Sequence, residues 1–349
     1  MQISSTFFDV TKRVALTTSR ATTAGSTNLW VRVADEGVEG WGEAVPIYLH
    51  GGGLNASELG LALERATRWL ACESPWRRDA IAARLLREQT PAPARAALDI
   101  ALHDWLGKRL NQPLWRLWGL SAEAMPPTSV TIGIAVPDVA RQRARQWLTS
   151  TDARLFKVKL GSPEGAAADR ALFSAVRNEL PEGFEMYADA NGGWTLPTAV
   201  AMVRWLAEQG ALFIEQPLPE GDEAQLAVLR SETSLPIFAD ESCRCSRDVA
   251  ALAGIVDGVN IKLMKCGGLA EAARMVQVAR AHGMRVMLGC FGETSLAISA
   301  AAQLAPLVDY ADLDSHLNLR DDPFGGVELR DGRLRLQDHP GIGVRRLAS

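Results

Sequence analysis

From about residue 129 onward the chain repeats one unit: a short apolar strand candidate followed by a helix-period segment. The strand candidates are 130–132, 156–159, 186–189, 212–215, 237–240, 259–262, 286–288 and 310–314, with helical stretches such as 166–179, 196–209 and 269–282 between them. A step of roughly 25 residues is the rhythm of parallel βα units closing on themselves. The expected fold class is therefore α/β, a modified TIM-type (β/α)7β barrel. An open doubly wound sheet would carry a Gly-rich phosphate loop after its first strand. Neither G-x-G-x-x-G nor a Walker sequence follows 130–132.

The first 120 residues have a different texture. Residues 29–33 and 40–44 alternate as antiparallel strands do, and 56–120 read as helices. Ala97, Ile100, Ala101, Asp104 and Trp105 recur at helical spacing, and Pro113 ends that run. An α+β domain over 1–120 is thus expected ahead of a barrel over 121–324. The stretch 47–55, with Gly51-Gly52-Gly53, is expected to be a mobile or tightly turned loop.

The 349 residues carry a net charge of −4, so nothing points to a nucleic-acid surface or a polybasic membrane anchor. No apolar run reaches the roughly 18 residues of a membrane span. Met1 to Lys12 lacks a basic segment followed by an apolar one, so no signal peptide is expected. Five cysteines, with Cys243-x-Cys245 as the nearest pair, fit neither a zinc nor a redox motif. A reduced, cytoplasmic protein is expected. The sequence leaves a homo-oligomer open.

Polar residues end strand after strand: Lys157 and Lys159, then Asp189, Glu215, Asp240 with Glu241, Lys262, and Asp312 with Asp314. In a barrel these point into one mouth. Asp189, Glu215 and Asp240 fall one βα unit apart, on three adjacent strands at one height. Any one alone could cap a helix or form an ion pair. Three in phase repel one another, and a hard divalent cation held by oxygen, Mg²⁺ rather than zinc, relieves that. Lys157 and Lys159 share a strand face by the period of two, and Lys262 lies across the mouth. As counter-ions they would only balance the acids. As neighbours of each other and of a cation they would have lowered pKa values and could serve as general bases. A cation flanked by lysines points to proton abstraction beside a carboxylate, through an enediolate. Facing bases predict inversion at carbon.

These residues stand in the segments Lys157-Val158-Lys159-Leu160, Asp189-Ala190-Asn191, Glu215-Gln216-Pro217, Ala239-Asp240-Glu241-Ser242, Asn260-Ile261-Lys262 and Asp312-Leu313-Asp314. Together the segments resemble the enolase superfamily, muconate-lactonizing-enzyme subgroup, and within it the dipeptide epimerases, over essentially the whole chain. The resemblance implies one Mg²⁺ per subunit on Asp189, Glu215 and Asp240. It implies Lys159 and Lys262 as the acid/base pair, with Lys157 assisting Lys159. It also implies a capping domain completed by residues 325–349. A mandelate-racemase-type member would want a late His base; His282 falls in a helix and His316 follows the eighth strand.

In the family, Asp312-x-Asp314 binds the α-ammonium group of a dipeptide, although either acid could instead pair with Arg320. Arg20, in the loop after the first strand, corresponds to an arginine that reaches the side-chain carboxylate of the second residue. Thr131 and Cys290 are expected to line the pocket. The segment around Tyr48, His50 and Gly51–Gly53 departs from the Arg-Tyr-Gly-Glu type of the Ala-Glu enzymes. The resemblance implies a dipeptide epimerase of the L-Ala-D/L-Glu type, with peptidoglycan recycling as its setting. The alternatives are o-succinylbenzoate synthase, N-acylamino-acid racemase or a cycloisomerase. The 17–27 and 47–55 segments are candidate lids.

Overall fold

The computed structural model describes residues 1–49 and 52–347. Three antiparallel strands open the chain: β1 (Gln2–Thr17), β2 (Thr22–Asp35) and β3 (Val38–Ala44), in the order β1-β2-β3. A small hairpin follows, with β4 (Ile47–Leu49) paired to β5 (Gly52–Leu54). Where the sequence led to a loop over 47–55, the backbone pairs Ile47 with Leu54 and Tyr48 with Gly53. His50 and Gly51 lie outside the described residues. Residues 17–27 are likewise not one loop: only Thr18–Ala21 turns, and β2 already runs from Thr22.

Helices α1 (Ala56–Leu70), α2 (Arg78–Arg87) and α3 (Ala92–Arg109) back this sheet. Asn55 and Glu58 form a reciprocal capping box that starts α1. Val31 and Val33 of β2 pack on Leu59, Leu63, Ala97 and Ala101. Gly42 lets α3 lie directly on β3, because a Cβ there would run into the Ala97 carbonyl. Asp104, at a helical repeat position, is buried and polar in role. It accepts from the N–H groups of Trp41 and Ile342 at 2.8 and 2.9 Å, and Lys108 pairs with it at 2.7 Å. One carboxylate thus ties sheet, helix and C-terminal tail together. Trp30 packs edge-on against both Trp41 and Phe324, so the tail also joins through aromatic packing.

After the short helix α4 (Leu114–Leu117) come eight parallel strands: β6 (Ser129–Ile132), β7 (Leu155–Lys159), β8 (Glu185–Asp189), β9 (Ile214–Glu215), β10 (Ile237–Ala239), β11 (Gly258–Lys262), β12 (Arg285–Gly289) and β13 (Tyr310–Asp312). They hydrogen-bond in sequence order, and a bridge between Thr128 and Ala311 brings the last strand to the first. Helices α5 (Pro137–Ser150), α6 (Ala166–Glu179), α7 (Leu196–Glu208), α8 (Glu223–Ser231), α9 (Ser246–Leu252), α10 (Leu263–Cys266), α11 (Leu269–Ala281) and α12 (Ser295–Ala302) connect and surround them. Short strands β14 (Phe324–Gly325), β15 (Glu328–Arg330), β16 (Arg333–Arg335) and β17 (Arg345–Arg346) close the chain.

The barrel interior is layered. Tyr187, Phe213 and Phe238 stack across its floor at centroid distances of 4.3 and 4.4 Å. Charged side chains fill the level above. Gly268 admits the cap: a Cβ there would strike Asp99 of α3, which caps α11 through the Leu269 N–H. No described helix is long and apolar enough to cross a membrane.

Candidate active site

The parallel register sets Lys159 beside Asp189 and Asp189 beside Glu215. Asp240 follows directly on β10, so the three carboxylates reach one height on adjacent strands. One oxygen from each lies within 4.8 Å of the others, and all three are buried. Alternation along β7 turns Lys157 and Lys159 inward. Lys262 ends β11, four strands from β7 in either direction around the barrel. The two lysines therefore approach the acidic triad from opposite walls.

Among the described residues, the charges around the triad are paired. Lys157 Nζ contacts Asp189, Glu215 and Asp312 at 3.0, 2.7 and 2.7 Å. Lys159 pairs with Asp189 at 2.5 Å, and Lys262 with Asp240 at 2.7 Å. Lys265 also holds Asp240, at 2.5 Å, and donates to the Asn260 carbonyl at 3.0 Å. Arg20 and Glu241 add a pair at 2.5 Å. Five acids and five bases thus balance.

Among these side chains alone, pairing with carboxylates sets the direction at Lys157 and Lys262. Burial pulls Lys157 down, but Asp189, Asp312 and Glu215 outweigh it and hold it well above the usual lysine range. Burial likewise lowers Lys262, and Asp240 more than compensates. In this state the lysines are counter-ions. Burial and the nearby Asp189 charge push Glu215 up to about 8. Burial would raise Asp189 and Asp240, but Lys157 and Lys159 lower the first, and Lys262 and Lys265 the second.

The donor set fits a hard cation. Glu215 Oε2 is buried and makes no hydrogen bond, although the Lys157 ammonium lies close. Its other oxygen accepts from Asn260 Nδ2 at 2.8 Å, which fixes the carboxylate's direction. Three buried oxygen ligands with fixed orientation suit Mg²⁺. Asn191 and Gln216, just beyond two of these acids, hold φ values of 44° and 35°. Left-handed backbone at two non-glycine residues is strain located at the site.

Asp312 and Asp314 do not share a strand face. The sheet ends at Asp312, and Asp314 has helical backbone as the chain enters a 3₁₀ turn over Ser315–Asn318. Asp312 is bound by Lys157 and by Ser129 Oγ at 2.8 Å. Asp314 accepts the Thr131 N–H at 2.7 Å, and no cation among the described residues pairs with it. Neither acid pairs with Arg320 among those residues. Burial and the Asp312 charge raise Asp314 to about 6.

Above the centre lies a cavity of about 560 Å³, walled by Lys159, Lys262, Arg20, Cys290, Tyr48 and Phe291 among others. Cys290 lies on its surface, with a thiol pKa driven up by burial. Thr131 faces Asp314 rather than this cavity. His316 is buried, and burial lowers its pKa to about 4. Sequence reasoning gave no role to Lys265, Asn260 or Glu241. For Lys265 a signal existed: it is the second charge in the otherwise apolar run 261–266, where a buried lysine needs a partner.

A capped barrel with an acidic triad and opposed lysines at its mouth is an enolase-superfamily architecture. The model of the mandelate racemase / muconate lactonizing enzyme N-terminal domain matches residues 2–119, and the "Enolase C-terminal domain-like" model matches residues 139–346. The chain belongs to this mandelate racemase / muconate lactonizing enzyme family.

A hydrophobic dipeptide epimerase of Roseobacter litoralis is 45% identical over 340 residues, 95% of each chain. The substrate-liganded L-Ala-D/L-Glu epimerase of Bacillus subtilis superposes with a TM-score of 0.94 at 27% identity, over 100% of this chain and 99% of that one. The dipeptide epimerase of Enterococcus faecalis, complexed with Mg and L-Leu-L-Tyr, gives a TM-score of 0.90 at 30% identity, over 98% of both chains.

Proposed function

We propose that this chain is a Mg²⁺-dependent dipeptide epimerase that inverts the Cα of the C-terminal residue. The observation that carries the reading is the placement of Lys159 and Lys262 on opposite walls, with Asp189, Glu215 and Asp240 between them. Those three acids would hold the cation. A bound dication, with one substrate carboxylate, would leave the balanced network one charge positive until an ammonium loses its proton, and it would stabilise negative charge gathering on that carboxylate. Lys159 and Lys262 are the ammonium groups that line the cavity and also pair with acids of the triad, so either can be the neutral base while the other remains the acid. One removes the α-proton from its face and the other delivers a proton to the opposite face. Lys157, buried among Asp189, Glu215 and Asp312, stays charged and keeps Asp189 oriented toward Lys159.

Asp314 favours a dipeptide over the substrates of o-succinylbenzoate synthase, an N-acylamino-acid racemase or a cycloisomerase, since those bring no ammonium to a carboxylate that lacks a cation. Arg20, paired with Glu241, presents no net charge to the second residue. That favours a neutral side chain there over the glutamate of the L-Ala-D/L-Glu type. The test is a screen of L,L-dipeptides, L-Ala-L-Glu and L-Ala-L-Leu included, in D₂O with Mg²⁺ and mass spectrometry. Deuterium entering the C-terminal residue is expected. No exchange with any dipeptide, alongside turnover of an N-succinyl amino acid, would overturn the reading.

A further inference from the structure

Among the described residues that line the cavity, Lys12 is a cation without a carboxylate partner. Lys12 lies on β1, where pairing with β2 slips between Thr11 and Leu16. The slip turns this stretch toward the segment that follows Asp314. Arg320 N–H donates to the Thr11 carbonyl at 2.9 Å, Arg13 Nε to the Leu319 carbonyl at 2.8 Å, and Asn318 Nδ2 to the Val14 carbonyl at 2.8 Å. These bonds stitch the cap strand to the barrel rim and fix Lys12 on the cavity wall.

Lys12 Nζ donates to Thr23 Oγ1 at 2.6 Å. No carboxylate among the described residues lies within ion-pairing distance of it. The titratable groups facing it are Cys290, Asp314 and Glu293. A partly buried ammonium with one hydroxyl partner has donors to spare. Arg20 faces Glu241, Asp240 and Asp189, on the β8–β10 side. Lys12 therefore occupies the other end of the cavity, beside β12 and β13. There Asp314 and Glu293, neither of them paired with a cation among the described residues, lie within its electrostatic reach. An anion and a cation, held near each other and unpaired, complement a ligand group that carries both charges.

We propose that Lys12 selects dipeptides whose first residue is acidic: the α-ammonium group meets Asp314 and the side-chain carboxylate meets Lys12. The inference rests on the dipeptide reading above and names the substrate class within it. A neutral second residue completes the substrate, as in L-Glu-L-Leu.

The test compares kcat/KM for L-Glu-L-Leu and its near-isostere L-Gln-L-Leu, read as α-deuterium exchange in D₂O. The wild type is expected to favour the glutamyl substrate by roughly 10-fold or more, chiefly through KM, the effect of one charge-assisted contact. In Lys12→Met the ratio is expected to fall to near one, and Lys12→Arg to retain it. A folding defect lowers both substrates together and leaves the ratio intact. A wild-type ratio near one, or a ratio unchanged in Lys12→Met, would overturn the inference. Both outcomes leave the epimerase reading standing, because exchange still occurs; only absence of exchange with every dipeptide removes that reading too.

Discussion

Glu43 joins the cap to the barrel, and its replacement tests whether burial governs that joint. It is fully buried at the end of β3. It accepts from Asn28 Nδ2 at 2.8 Å, from Thr294 Oγ1 at 2.7 Å, and from the N–H groups of Thr294 and Ala297 at 3.2 Å, at the N-terminal end of α12. Burial outweighs these bonds and raises its pKa from 4.5 to about 8. The folded state therefore binds the proton more tightly than the unfolded one. Its contribution is fully present below pH 4.5 and is lost as pH rises toward 8. Each pH unit in that window is worth about 1.4 kcal/mol. Between pH 5.5 and 7.5 the wild type should thus lose roughly 2–3 kcal/mol relative to Glu43→Gln, which cannot ionise. Equilibrium urea unfolding of both proteins at the two pH values, in the same Mg²⁺ buffer, measures that change. A stability difference that stays constant across the window would refute the argument.

Other perturbations follow from the same geometry. Lys265→Met strips Asp240 of one of its two cations, and removing one partner of a buried pair should cost about 3–5 kcal/mol, read by urea unfolding. Asp314→Asn removes a carboxylate that no cation among the described residues pairs with, so kcat/KM for dipeptides should fall roughly 10–100-fold, with binding of Mg²⁺ by calorimetry unchanged. Protonation of Asp314 has the same effect, so kcat/KM should decline as pH falls through about 6, and the Asp314→Asn profile should lose that limb. Gly42→Ala would drive a methyl group into the Ala97 carbonyl and should lower stability by about 2–4 kcal/mol in the same unfolding assay.

Much of this was readable from residues 129–314, because a buried parallel strand is short, apolar and ends in a polar residue when it feeds a mouth. Asp189, Glu215 and Asp240 each follow such a run, and register alone then brings them together. Asp312-x-Asp314 was less transparent: a period of two holds only while the strand lasts, and β13 stops at Asp312. Arg20 lies on the cavity wall, and its partner Glu241 is 221 positions away; no local pattern encodes such a pairing. Lys12 gave no signal, since its place depends on a register slip in β1. The lysine pKa values depended on which acids pack around each ammonium, a tertiary fact.

The opposed bases can be tested one at a time. Each lysine is replaced by alanine, and each variant is given, separately, the L,L and L,D forms of one accepted dipeptide in D₂O with Mg²⁺. If Lys159 and Lys262 serve opposite faces, each variant stops epimerising but still exchanges the α-hydrogen of one epimer, and the two variants retain opposite ones. A variant that exchanges both epimers, or a pair that retains the same one, would contradict the two-wall arrangement.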